Sequence, residues 1–312
     1  MKIAVIAHRN KSLGGGLPAL RAGLARRGHP HVGWFEVSRS KKVPAVMKAA
    51  LADHPDVLVV WGGDGMVQRA VDALVRSGQT ADTALAVIPA GTANLFATNL
   101  GVPIDLDGAL DVALGGACLP IDVGTLNGER FVVMAGAGFD ALMIHDASGG
   151  LKHRFGRAAY VWTGSKNLSR ASSRVTIEID GRSWFKGRAS SVIFGNVGTL
   201  IGGLELFAGA DPTDGRLEVA VVRAEKMTEW ARLAARALFG KIEHSPLLST
   251  SSGQKVDVWL ERKLPYELDG GARPKAKRLK ARIEPHAVRV CVPPTNHAVA
   301  HQNGALAHET DQ

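Results

Sequence analysis

Residues 57–74, VLVVWGGDGMVQRAVDAL, pass from an unbroken apolar run through Gly62, Gly63, Asp64 and Gly65 straight into a segment with helical spacing. This junction limits the fold more than any other feature. A strand without polar alternation must be covered on both faces, which places it inside a parallel sheet flanked by helices. A glycine turn that opens a helix also presents unpaired N–H groups and the positive end of the helix, a setting suited to phosphate. An ordinary strand-to-helix turn is the simpler alternative. The surrounding chain repeats the alternation. Strands are expected over 2–7, 32–37, 56–61 and 84–88, with helices over 17–27, 43–52, 66–75 and 93–100. Gly28 ends the first helix, and Pro44 lies in the first turn of the second.

The pattern changes near residue 118. ACLPIDVGTL, the turn pair Asn127-Gly128 and RFVVMAG read as a hairpin. RVTIEID, SWFKGRASSVIFGNV, RLEVAVVR, QKVDVWLE and HAVRVCVP follow as further strands, with helical insertions expected over 154–168 and 228–239. The expected architecture is an α/β nucleotide-binding domain over 1–120 with a parallel sheet, then a β-sandwich lipid-binding domain over 121–294. A flexible tail is expected over 295–312.

Asp64 sharpens the phosphate reading. A carboxylate inside a phosphate cradle repels the ligand unless a cation lies between them, which points to a magnesium-bound nucleotide. Capping of the following helix is its structural alternative. No G-x-x-x-x-G-K-[ST] sequence occurs, so the loop is not a P-loop. A second junction follows the next strand, LAVIPA-Gly91-Thr92-Ala93-Asn94-LFA. There Thr92 is placed to cap the helix and offer a hydroxyl, and Asn94 offers an amide. Both junctions fall at the carboxyl edge of the sheet, where open α/β folds bind ligands. The net charge of +9 favours anionic partners, and the basic run Lys275 to Arg282 could face either solvent or a membrane. No motif for nucleic acid accompanies it, so none is expected as a partner. Two cysteines, Cys118 and Cys291, exclude a disulfide framework and fit a reducing, cytoplasmic setting, while the positive charge fits reversible contact with an anionic membrane surface. No apolar run is long enough to span a bilayer.

GGDG after an apolar strand, followed by P-x-GT-x-N-x-F-A, resembles the diacylglycerol kinase catalytic family, which includes bacterial lipid kinases and sphingosine kinases. The likeness continues through IDVG, GAGFDA, DPTDGRLEV and YELDGG in the family's order. It implies an NAD kinase-like α/β domain and a β-sandwich that helps bind lipid. It further implies transfer of the γ-phosphoryl group of ATP to a lipid hydroxyl with Mg²⁺. Carried onto this chain, it assigns Gly62, Gly63, Asp64, Gly65 and Thr92 to the nucleotide phosphates, with Lys166 as a basic residue nearby. Asp122 becomes an acidic group near the reaction. Asp211, Asp214 and the carbonyl of Arg216 become a metal site, for which a metal-free polar turn is the alternative.

Four positions depart from the family. Met66 replaces a hydroxyl residue, His8-Arg9-Asn10-Lys11 replaces an asparagine-proline loop, and Thr98 stands where arginine is frequent. Gly271 occupies the place of a glutamate regarded as the general base, which makes Asp269 the nearest substitute. Three other readings compete: an NAD kinase-like enzyme, a catalytically silent lipid- or nucleotide-binding protein, and a dinucleotide enzyme using GAGFDA as G-x-G-x-x-A. The lipid itself is not legible, and a homodimer remains open.

Overall fold

The computed structural model describes residues 1–138, 172–200, 204–238 and 242–294. Lys166, the helix expected over 154–168 and the tail over 295–312 lie outside these residues. Contacts divide the chain into two units: Met1–Val123 with the segment from Pro285 onward, and Gly124–Glu284. The sequence places the whole of 121–294 in one domain, whereas the contacts return the final strand segment to the first unit. The reason is a parallel pairing of Val290 with Leu85, within a run (Val288, Val290, Cys291, Val292) that is fully buried.

The first unit alternates β1 (Ile3–His8), α1 (Gly16–Arg26), β2 (Gly33–Val37), α2 (Val43–Ala50), β3 (Val57–Gly62), α3 (Asp64–Ser77) and β4 (Ala84–Pro89). Two further helices follow, α4 (Leu95–Asn99) and α5 (Leu106–Gly115). The strands run parallel in the order β4-β3-β1-β2. Every residue of β3 and β4 is buried, and Trp61 is 0% exposed, as unalternating apolar runs require. Leu20 and Leu24 of α1, Met47 of α2 and Val67, Val71 and Leu74 of α3 supply the covering layers. Helix α5 is absent from the sequence expectation although its signals are present. Asp105 caps it by accepting the Gly108 N–H at 2.8 Å, and Leu106, Ala109, Leu110 and Ala113 form its buried stripe.

The second unit is antiparallel. β5 (Ala117–Leu126) carries the chain into it, followed by β6 (Glu129–Phe131), β7 (Met134–Ala137), β8 (Ser173–Ile179), β9 (Arg182–Ala189) and β10 (Ser191–Gly195). The short β11 (Thr199–Leu200) and β12 (Leu204–Glu205) pair together. Then come β13 (Leu217–Val222), α6 (Met227–Leu238), β14 (Leu248–Gly253), β15 (Lys255–Leu268) and β16 (Gly271–Val292). One set of strands runs β14-β13-β10-β7; the other runs β9-β8 onto the first half of β15. β15 serves both, pairing β8 through Val256–Leu260 and β7 through Tyr266–Leu268, with register shifts between. Val175, Ile177, Phe194, Val219, Val258 and Leu279 meet in the resulting sandwich core.

Three hairpins turn on Asn127-Gly128, Asp180-Gly181 and Asp269-Gly270, each pair with both φ angles positive. This is the two-residue turn that matches strand twist. The basic run Lys275 to Arg282 is a strand, part of β16, and not a loop. Trp259 is half-buried on β15, with the Arg278 guanidinium 4.9 Å above its ring.

The dinucleotide reading of GAGFDA fails on topology. Gly136 sits in β7, which pairs antiparallel with both neighbours among the described residues, whereas that fingerprint belongs to a strand of a parallel βαβ unit. Its lack of a side chain is explained by the Val192 carbonyl, which a Cβ would overlap. Gly136→Ala is therefore expected to cost about 1–3 kcal/mol, seen as a lower Tm in a thermal melt. An unchanged Tm would contradict this close approach.

Candidate active site

Because β1, β3 and β4 are parallel, their carboxyl ends share one edge of the first unit's sheet. After β1, Gly14, Gly15 and Gly16 take φ values of 52°, 103° and 75°, a left-handed run that only glycine adopts readily. His8, at the end of β1, accepts the Asn10 N–H at Nδ1, and burial, helped by Lys11, lowers its pKa. The imidazole at this edge is therefore neutral at pH 7.

The β3–α3 and β4–α4 junctions are packed against each other. A Cβ on Gly63 would stand 2.9 Å from the Gly91 Cα, and one on Gly91 would overlap Gly63. Neither glycine has a positive φ, so this contact and not the dihedral requires them. The Ala90 N–H donates to the Gly62 carbonyl at 2.9 Å, extending the β3–β4 ladder to the junction. Met66, which replaces a hydroxyl residue, is buried under the turn. Its Sδ would lie 2.6 Å from a Cβ on Gly62. Gly65 faces open space.

Asp64 does not cap its own helix. Its Oδ1 accepts the Phe96 N–H at 3.0 Å, satisfying a first-turn donor of α4 and joining the two junctions. Two expectations for the second junction are corrected. Thr92 is not the cap: Asn94 is the N-cap residue, in the left-handed region at φ 52°, and Thr92 is exposed. The Asn94 amide is committed to its own loop. Its Oδ1 accepts the Gly91 N–H at 2.7 Å, and its Nδ2 donates to the Pro89 and Gly91 carbonyls at 3.4 and 3.3 Å. It shapes the loop and has little left for a ligand. The Thr92 hydroxyl makes no hydrogen bond among the described residues.

The two remaining carboxylate candidates are structural anchors. Asp122, on β5, is 0% exposed, and its Oδ1 accepts the His286 N–H at 2.7 Å where the chain re-enters the first unit. Full burial removes it from direct contact with a substrate. Asp269 accepts three N–H groups, from Val132 at 2.8 Å and from Val133 and Met134 at 2.9 Å each. These amides fill three of the carboxylate's roughly four lone-pair sites, so the side chain is held against the start of β7. Beside it, a Cβ on Gly271 would lie 2.8 Å from Nη1 of Arg273, whose Nε pairs with Glu129 at 2.7 Å.

In the second unit, Asp211 accepts the Thr213 N–H and hydroxyl, and Asp214 accepts the Arg216 N–H at 2.8 Å. The turn expected to bind a metal is closed by its own hydrogen bonds. Among the described residues, no group of three or more His, Cys, Asp or Glu side chains is placed to hold a metal. Glu218, which the sequence reading passed over, stands beside this turn. Its carboxyl pKa is raised by burial and further by Asp214, with Arg216 opposing.

Residues 14–126 match the diacylglycerol kinase catalytic domain, and residues 133–292 match the YegS C-terminal NAD kinase beta sandwich-like domain. The chain belongs to this diacylglycerol kinase and YegS-like family of lipid kinases. It is 31% identical over 229 residues to a diacylglycerol kinase of Bacillus subtilis (strain 168), covering 72% of this chain and 74% of that protein. It is 30% identical over 250 residues to a probable lipid kinase YegS-like of Klebsiella pneumoniae (strain 342), covering 78% and 80%. Among solved structures, a putative diacylglycerol kinase from Bacillus anthracis str. Sterne superposes with TM-score 0.76 at 20% identity, covering 94% of this chain and 96% of that one. An NAD kinase from Archaeoglobus fulgidus shares the fold more distantly, with TM-score 0.50 at 12% identity over 95% of each chain.

The Asp269 geometry sets a stability test. Asp269→Asn removes the charge and turns one acceptor into a donor facing an N–H, so it is expected to cost about 1.5–3 kcal/mol in urea unfolding. Gly271→Glu is expected to change stability by less than about 1 kcal/mol, because φ there is not positive and the Arg273 side chain can move. The reverse order would contradict the anchoring role.

Proposed function

We propose that the chain transfers the γ-phosphoryl group of ATP to the hydroxyl of a lipid, with the nucleotide phosphates held at the β3–α3 and β4–α4 junctions. The observation that carries this reading is the Gly63–Gly91 contact joined by the Asp64–Phe96 bond. It fixes two helix N-termini side by side at one sheet edge. The Asp64 and Gly65 amides open α3 and have no carbonyl one turn back. Together with the field of the helix and the open space at Gly65, they fit a phosphate. The exposed Thr92 hydroxyl is the added donor at the second junction.

Mg²⁺ fits this edge in one manner only. Asp64 supplies a single carboxylate, one oxygen of which serves Phe96. That suits an ion held mainly by phosphate oxygens and water, the usual state of nucleotide-bound magnesium. Bound there, Mg²⁺ would supply charge neutralisation on the phosphates. The chain's own part is positioning. Gly271 cannot accept a proton, so most of the catalysis falls to alignment and electrostatics, which the loose transition state of phosphoryl transfer permits. The Bacillus subtilis relative supports diacylglycerol as the acceptor class.

Such a substrate is met at an interface. We place the chain in the cytoplasm, with reversible binding to anionic membranes through Lys275, Lys277, Arg278 and Lys280, all exposed on β16. Among the described residues, no helix is long and apolar enough to cross a bilayer.

Two outcomes test this. Asp64→Asn keeps an oxygen for the Phe96 N–H and so keeps the fold. Its turnover of radiolabelled ATP onto a panel of lipid alcohols is expected to fall by about 100-fold or more. Full activity in this variant would overturn the assignment. Binding to liposomes is expected to rise with anionic lipid content and to weaken in salt, since exposed charges are screened beyond about 8 Å at physiological ionic strength. Equal binding to neutral liposomes would remove the role given to β16.

A further inference from the structure

The chain's two cysteines, far apart in sequence, meet in the first unit. Cys118 is exposed near the start of β5, and Cys291 is buried near the end of β16. These strands pair. The backbones are close at this point, because a Cβ on Gly116 would stand 2.7 Å from the Val292 carbonyl oxygen. Burial, together with the nearby Cys118 thiol, pushes the Cys291 thiol up to about 12. The pairing runs antiparallel, with Asn127 bonded to Lys280 and Gly116 beside Val292, so 118 and 291 fall at neighbouring positions across it. Cα atoms of such neighbours lie about 4.5–6.5 Å apart, within the span a disulfide bridges.

We infer that Cys118 and Cys291 form a modification site, a dithiol that low-molecular-weight disulfides such as oxidised glutathione convert into an intramolecular disulfide. Exposed Cys118 is the entry point. Its thiolate attacks one sulfur of the small disulfide, giving a mixed disulfide and releasing one small thiol. Cys291, losing its proton, then attacks the Cys118 sulfur and expels the second small thiol. Two protein thiols are oxidised, and the small disulfide is reduced to two thiols. The high pKa of Cys291 makes this second step the slow one.

The position gives the bond a consequence. The chain leaves the first unit after Val123 and returns at Pro285, so the two cysteines lie just inside these crossings. Their bond closes a loop containing the whole of Gly124–Glu284, a size at which loss of unfolded-state entropy is large. This inference is independent of the proposed catalysis.

The test treats the purified full-length chain with oxidised glutathione, blocks remaining thiols with iodoacetamide, and maps peptides by mass without reduction. The expected result is a covalent link between the peptides carrying residues 118 and 291. A rise in Tm of about 5 °C or more, reversed by dithiothreitol, should accompany it. Cys118→Ser, at an exposed position, should abolish both, and Cys291→Ser should leave glutathione on Cys118. Three results would overturn the inference: glutathione retained on Cys118 of the unaltered chain with Cys291 alkylated after denaturation, a Cys118–Cys118 link between two copies, or both thiols unreacted.

Discussion

The contact of Gly63 with Gly91 is the constraint on which the first unit's functional edge depends. Two neighbouring strands end together and their turns touch at backbone distance, so no side chain fits between them. Asp64 then crosses from one helix start to bond the first turn of the other. Asn94 closes the second turn on itself through three hydrogen bonds. The polar side chains of the motif thus build a rigid frame of aligned backbone amides. A preorganised frame of this kind favours phosphate without any reorganisation at the moment of binding.

The same use of carboxylates recurs through the chain. Asp122 fixes the turn at His286, Asp180 accepts the Gln254 and Lys255 N–H groups, and Asp269 gathers three amides at the entry to β7. Each lies at or beside a change of chain direction, where backbone donors lack ladder partners. A buried unpaired amide is costly, so a charged acceptor there contributes strongly to stability. Acidic residues in family motifs therefore divide into two groups. Asp64 stands at an open edge, whereas Asp122 and Asp269 hold the chain in place.

Much of this was legible in the sequence. The unalternating runs at 57–62 and 84–89 gave the parallel sheet because burial on both faces forbids polar alternation. The Asn127-Gly128 pair marked a hairpin because two successive positive φ angles favour those residues. Other features depended on contacts that spacing does not encode. Nothing near Asn94 shows that its amide turns back onto Pro89 and Gly91. The return of residues after Pro285 to the first unit depends on a pairing with Leu85, two hundred residues earlier. The strand character of Lys275 to Arg282 was hidden because its outward face is almost wholly basic, and only Leu279 and Ala281 are buried.

The central claim is that the two joined junctions receive the nucleotide. Hydrogen exchange of the full chain, followed by mass spectrometry with and without ATP and magnesium, reads those amides directly. The account expects slower exchange in peptides covering both 62–66 and 91–97. Protection confined to other segments, with both junctions exchanging as in the free protein, would contradict it.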